Sequence, residues 1–280
     1  MTETNLECAR RGTLTVAVIG CGAIGRTVLR RIPQLFGPRV RVTAVLGRRP
    51  GCLADEPDLA ARYAVVTSLD QLLSDTPDLV VECASHEAVR QYGSAVLASG
   101  RDFMMVSTGV LADDELRSIL VRAASDNGTQ LRVVPGAIGA SDVLDAMRCG
   151  GLSSVRYTGR KPPPAWRGSA AERLLDLSSL TEATAFFRGS AREAAKTYPK
   201  NANVAATIAL AGVGFDRTEV VLIADPACAT NQHVIEAGGE CGSFHFSINA
   251  APSANPRSSA IVGDSVCHAI GGLVEPIVIL

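Results

Sequence analysis

Three glycines, Gly20, Gly22 and Gly25, follow an apolar, β-branched run, Leu14-Thr15-Val16-Ala17-Val18-Ile19. They open a stretch in which Ile24, Val28, Leu29 and Ile32 recur at helical spacing. Strand, tight turn and helix are the setting in which Gly-x-Gly-x-x-Gly holds a dinucleotide. Gly20 permits the turn, Gly22 lets the backbone approach a pyrophosphate, and Gly25 lets helix and strand pack closely. Ala23 and Ile24 lie between them, so the free N–H groups of the first helical turn point at the phosphates. Without a ligand the pattern would be only a glycine-rich βα turn.

A site selective for NAD carries Asp or Glu after the second strand, to accept from the ribose 2′-hydroxyl. Here no acidic residue stands between Gly20 and Asp55, and Arg48 and Arg49 occupy the exit of the second apolar run. Two guanidinium groups suit a 2′-phosphate. NADP is therefore expected as a cofactor alongside NAD.

Proton chemistry near neutral pH points to histidine. The chain has four: His86, His233, His245 and His268. His268 lies in a terminal apolar helix, and His245 sits between Phe244 and Phe246 on a strand. His86 ends a buried strand and borders the expected cofactor site. His233 follows Asn231-Gln232 on a strand of the second half. Spacing leaves both open. Arg160, Lys161 and Lys200 stand in turns of the second half and are candidates to bind an anionic substrate. Cys83 and Cys149 carry no activating signal and read as core residues. No His/Cys cluster has metal-ligand spacing, so no metal is expected.

These residues need a scaffold. Apolar strands at 40–49 (exit loop included), 64–66, 78–84, 102–106 and 130–135 alternate with a first helix carried by Ile24 to Ile32 and helices at 68–73, 87–99 and 111–127. That alternation predicts a doubly wound, parallel Rossmann sheet. Its ligands bind beyond the strand ends, which places Ala84 at the cofactor along with the glycine loop and residues 107–109 and 136–139. After residue 150 the pattern changes to β-branched runs at 154–160, 180–188, 218–224, 233–237 and 243–250, with an Ala-rich helix near 203–212. This predicts a second α+β domain with an open, mixed or mainly antiparallel sheet. The expected division is residues 1–136, rejoined by a helical tail at about 256–280, for the dinucleotide, and residues 137–255 for substrate, the latter also for dimerisation on the resemblance given below.

Composition narrows the class. Of 280 residues, 47% are hydrophobic and 20% charged, enough for sizeable cores. A net charge of -1 without long runs of one sign argues against nucleic acid as a partner. No apolar run reaches membrane-spanning length, and residues 1–7 lack the pattern of a signal peptide. The eight cysteines are scattered. A cytoplasmic protein with reduced thiols is expected.

Several motifs together resemble the L-aspartate dehydrogenases. They are Gly-Cys-Gly-Ala-Ile-Gly at 20–25, Pro-Gly-Ala-Ile-Gly at 135–139, Arg-Lys-Pro-Pro at 160–163, Tyr-Pro-Lys-Asn-Ala-Asn-Val-Ala-Ala-Thr at 198–207, Asp-Pro at 225–226 and Asn-Gln-His at 231–233. The glycine loop is widely shared, whereas the run at 200–206 with the downstream Asn-Gln-His is far more specific. The resemblance implies oxidation of L-aspartate with NAD or NADP to iminoaspartate, which hydrolyses to oxaloacetate and ammonia. It also implies a homodimer, NAD(P) contacts at Ala137 and Asn203, and His233 as the active-site histidine, a general base for water addition. Lys161, Arg160 and Lys200 would then meet the substrate carboxylates. Lys200 has a second role open to it by analogy of chemistry, activation of the water. The other readings are an imine or amino-acid reductase of dihydrodipicolinate-reductase shape, and a dinucleotide sensor without turnover.

Overall fold

The computed structural model describes residues 12–199, 201–253 and 258–279, which fall into two compact units. The first runs up to Ser107 and adds Ser118–Val134 and the segment from Gly263 on; the second comprises Thr108–Arg117 and Pro135–Val262. A contiguous break at residue 136 would miss that Thr108–Arg117 packs with the second unit. Its attachment is specific. Thr108 Oγ1 donates to the Asn203 carbonyl at 2.7 Å, and the Gly109 N–H donates to Asn203 Oδ1 at 3.0 Å.

The first unit holds a six-stranded sheet: β1 (Leu14–Ile19), β2 (Val40–Leu46), β3 (Val65–Val66), β4 (Leu79–Glu82), β5 (Asp102–Met105) and β6 (Leu131–Val133). All pairings are parallel, in the order β3-β2-β1-β4-β5-β6. This is the Rossmann order expected from strands alternating with helices. Val16–Ile19 and all of β4 are buried because helices cover both faces of a parallel sheet. The first helix, α1 (Ala23–Phe36), turns Val28, Leu29, Ile32 and Phe36 inward. Each such side chain contributes roughly 1.5–3 kcal/mol on burial. α2 (Pro57–Arg62), which periodicity did not reveal, is a single short turn. α3 (Leu69–Leu73) and α4 (His86–Ala98) start on Ser68 and Ser85, whose hydroxyls accept from Gln71 and Ala88 N–H. α5 (Asp114–Asp126) follows a 3₁₀ turn, Thr108–Ala112.

The second unit opens with α6 (Ser141–Cys149) and is built on a five-stranded sheet: β7 (Leu152–Lys161), β8 (Thr184–Ser190), β9 (Glu219–Ala224), β10 (Asn231–Gly239) and β11 (Gly242–Ala250). The order is β11-β10-β7-β9-β8, antiparallel except for the β7–β9 pair. The sheet is therefore mixed and mainly antiparallel, as expected. α7 (Ala191–Thr197) begins with a Ser190–Glu193 capping box, and α8 (Asn203–Ala211) is the Ala-rich helix. α6 and α8 pack on β7.

Two expectations are corrected. The C-terminal helix α9 (Ile261–Gly271) is shorter than the helical tail expected at about 256–280, and residue 256 lies outside the described residues. The thiols are not all free: Cys21 and Cys52 form a disulfide, their Cα atoms 6.0 Å apart. Thirty-one residues separate them, and they meet because the β1 and β2 exits are neighbours in the parallel sheet.

Candidate active site

In the first unit the glycines do what their spacing requires. Gly20 has φ of +111°, and a Cβ there would lie 2.8 Å from Ala84 Cβ. A Cβ on Gly25 would come within 2.1 Å of the Gly20 carbonyl oxygen, so only glycine lets α1 approach β1 this closely. Gly22 differs: a Cβ there would meet no described protein atom within 4 Å. It is the N-cap of α1, with no side chain capping it and no acidic residue in the first turn. An open glycine before an uncapped 14-residue helix fits a pyrophosphate.

Arg26, the residue after the glycine motif, is committed elsewhere. Its guanidinium grips both Asp55 carboxylate oxygens at 2.7 and 2.8 Å and donates to the Cys21 and Cys52 carbonyls. It holds the β2 exit loop against the glycine loop, beside the disulfide. The Arg26 hydrogen bonds keep the Asp55 carboxyl below its usual range. Arg48 and Arg49 are exposed on that loop.

Glu82 escaped the sequence reading. It ends β4 fully buried, and its carboxylate accepts from Ala84 N–H at 2.7 Å, Ser85 N–H at 2.8 Å, Ser107 N–H at 3.1 Å and Ser107 Oγ at 2.8 Å. Burial pushes its carboxyl up, and those hydrogen bonds oppose the rise. Glu82 thus fastens the chain leaving β4 to the chain leaving β5. Ala84 is exposed beside Gly20, and His86 is the half-buried first residue of α4.

In the second unit the inward face of β7 carries Val155, Tyr157, Gly159 and Lys161; that of β10 carries Asn231, His233, Ile235 and Ala237. His233 pairs with Gly159 and Ile235 with Tyr157. His233 is 1% exposed, as is Tyr157. Tyr157 Oη and His233 Nδ1 are 2.8 Å apart. The other imidazole nitrogen, Nε2, is buried and has no hydrogen-bond partner among the described residues, and the same holds for Asn231 Oδ1 two residues earlier. Lys161 is also buried, its Nζ 5.6 Å from the centre of the Trp166 ring. Trp166 is fixed by Nε1 donating to the Ile223 carbonyl at 3.2 Å.

Burial sets the protonation here. It pulls the Lys161 ammonium down to about 8 and, with the Lys161 charge adding to it, the His233 imidazolium down to about 3. His233 is therefore neutral at neutral pH, not poised in the ordinary histidine range. Burial pushes the Tyr157 phenol up, so it stays protonated.

The candidate cations separate. Lys161 shares the inward face with His233, whereas Arg160, one residue earlier, points to the opposite face and pairs with Asp225 at 2.9 Å. Lys200 lies outside the described residues. Asn203 is not the N-cap of α8; Ala202 is, and the Asn203 side chain receives Gly109 instead. Ala137 is 3% exposed. His245 and His268 are exposed.

Residues 142–273 match the family described as aspartate dehydrogenase, C-terminal, and residues 20–134 the homoserine dehydrogenase NAD binding domain. An L-aspartate dehydrogenase of Pseudomonas aeruginosa is 46% identical over 92% of this chain and 97% of its own; one from Cupriavidus taiwanensis is 46% identical with the same coverage. The chain belongs to the L-aspartate dehydrogenase family. The aspartate dehydrogenase of Thermotoga maritima superposes with a TM-score of 0.76 at 29% identity, over 95% of this chain and 99% of that one. A hyperthermophilic archaeal homoserine dehydrogenase in complex with NADPH, at 13% identity and a TM-score of 0.58, shares the fold.

For an aspartate dehydrogenase family member, Tyr157 and Glu82 are the residues that motif reading passes over. A charge ending the apolar run Leu79-Val80-Val81 was a signal for Glu82. Tyr157 gave none, because its partner is 76 residues away.

Proposed function

We propose that this protein is an NAD(P)-dependent L-aspartate dehydrogenase, oxidising L-aspartate to iminoaspartate, which gives oxaloacetate and ammonia, and running in reverse as a reductive amination. The observation that carries the residue-level reading is His233: a buried imidazole with one nitrogen fixed by Tyr157 and the other without a partner among the described residues. A buried polar atom without a partner is costly unless a ligand satisfies it.

Gly20, Gly22, Ala23, Ile24 and Gly25 would hold the pyrophosphate through backbone N–H groups, with Arg48 and Arg49 reading a 2′-phosphate. Ala84, Ala137 and Asn203 are the further cofactor contacts. A bound nicotinamide dinucleotide supplies the hydride acceptor. Lys161 offers the charge for a substrate carboxylate, and a buried, desolvated ammonium binds an anion more strongly than an exposed one. Arg160 is turned to Asp225, and Lys200 remains a candidate by its motif alone. His233 is the catalytic residue, its free nitrogen facing the reacting atoms of the substrate. Among the described residues no helix is long and apolar enough to cross a membrane. A cytoplasmic homodimer with small-molecule substrates, rather than nucleic acid, completes the reading.

The test is absorbance at the reduced-nicotinamide band. The purified protein should consume NADPH or NADH when given oxaloacetate and ammonia together. Cofactor binding without consumption would instead favour a dinucleotide sensor, and consumption only with a cyclic imine a reductase of dihydrodipicolinate-reductase type.

A further inference from the structure

The Tyr157–His233 contact can be made in two ways. Either Tyr157 donates its O–H to Nδ1, leaving the imidazole proton on Nε2, or Nδ1–H donates to Oη and Nε2 keeps a lone pair. The surroundings decide between them. Tyr157 is buried, stays a protonated phenol, and among the described residues His233 is the one hydrogen-bond partner of its hydroxyl. If Nδ1–H were the donor, the phenolic hydrogen would be buried with no acceptor. If Tyr157 donates, Oη and Nδ1 satisfy each other, and the one polar hydrogen left over is on Nε2, which among the described residues has no partner and is left for a ligand.

We propose that Tyr157 is a positioning residue that locks His233 in the tautomer protonated on Nε2, so that His233 meets its substrate as a neutral hydrogen-bond donor and not as a base. Gly159 makes the lock possible. It sits opposite His233 in the β7–β10 ladder, and a Cβ there would lie 2.6 Å from Tyr157 Oη. The tyrosine reaches diagonally across a space that any side chain at 159 would fill.

The catalytic meaning rests on the function proposed above; the tautomer does not. A neutral imidazole N–H has an acceptor waiting in a carbonyl compound such as oxaloacetate: the carbonyl oxygen, on which charge builds as ammonia attacks. A donor held in place stabilises that charge without giving up its proton. This also reconciles catalysis with an imidazole that burial keeps uncharged: a neutral donor is needed there, and an imidazolium is not.

The experiment is a nitrogen-15 spectrum of the full-length protein labelled at histidine, with the His233 signals assigned by their loss in His233→Ala. The expected spectrum near neutral pH has the proton coupled to Nε2 and a pyridine-type Nδ1. In Tyr157→Phe the lock is gone, and the signals should move toward a mixture of tautomers. Turnover of Tyr157→Phe should fall by roughly ten-fold or more with KM for L-aspartate little changed. A wild-type proton on Nδ1 would overturn the proposal, as would a Tyr157→Phe spectrum and turnover equal to wild type. The spectrum is read whether or not the protein turns over aspartate. An inactive protein with the proton on Nε2 would therefore sink the proposed activity and leave the tautomer assignment standing.

Discussion

Glu82 Oε1 lies 2.8 Å from Ser107 Oγ, and through this contact the last residue of β4 governs the chain beyond β5. A carboxylate can accept from several donors at once; the corresponding amide brings an NH2 that meets those donors as a rival. Glu82→Gln should destabilise the first unit by about 1–3 kcal/mol, the cost of donors left unpaired in a buried site. It should also weaken NAD(P) binding, because Ala84 and Ser85 lose their anchor. Thermal unfolding and dinucleotide titration check both. An unchanged Kd would separate Glu82 from the cofactor.

His233→Ala should keep the fold and near-normal dinucleotide affinity while turnover falls by roughly 10²–10³-fold, the cost of removing one positioned hydrogen-bond donor. His86→Ala should do less, with its effect on cofactor KM. If His86→Ala abolishes turnover while His233→Ala is close to wild type, the catalyst is the histidine of α4.

In the role proposed for it, Lys161 would bind a substrate carboxylate as an ammonium, the form present below about 8. For the free enzyme, kcat/KM for aspartate should hold below that pH and fall above it. Lys161→Met should lower kcat/KM by roughly 10–100-fold, equivalent to about 1.5–3 kcal/mol for a lost charge-assisted contact, and should flatten the limb. The substrate's own titration is common to both proteins, so the difference between the two profiles isolates Lys161. Identical profiles would remove the lysine from substrate binding.

Stability should vary with pH for the same reason that these groups are buried. Between about 3 and 6.5 the unfolded His233 is protonated and the folded one is not, so stability falls as pH drops through that window. Between about 8 and 10.5 the unfolded Lys161 holds a proton that the folded one has lost, so this group's contribution rises with pH there. Each pH unit of either window is worth roughly 1.4 kcal/mol at most. Urea unfolding of wild type against His233→Gln and Lys161→Met, at pH 4.5, 7 and 9.5, reads the slopes; slopes equal in variant and parent would contradict the assignment.

Replacing Arg48 and Arg49 by neutral residues should raise KM for NADP far more than for NAD. Losing a charge-assisted phosphate contact costs about 1.5–3 kcal/mol. Equal changes for the two cofactors would show that neither arginine reads the 2′-phosphate.

The sequence by itself determined what depends on neighbours along the chain. The glycine loop, the Ser68 and Ser190 caps, the parallel pairing of the first sheet and the mixed second one follow from local turn chemistry, periodicity and the rules for joining strands. The motif at 198–207 with His233 likewise pointed to the family. Tertiary structure decided whatever depends on which strands become neighbours and in what register. A one-residue shift turns every side chain to the other face. That is why adjacent Arg160 and Lys161 part company, one on an ion pair with Asp225 and one beside His233. It is why Cys21 meets Cys52 instead of staying free, and why Tyr157 finds His233 across the gap that Gly159 leaves. The protonation of His233 was decided there too, because the histidine's ordinary range belongs to an imidazole in water and burial among packed strands removes the water.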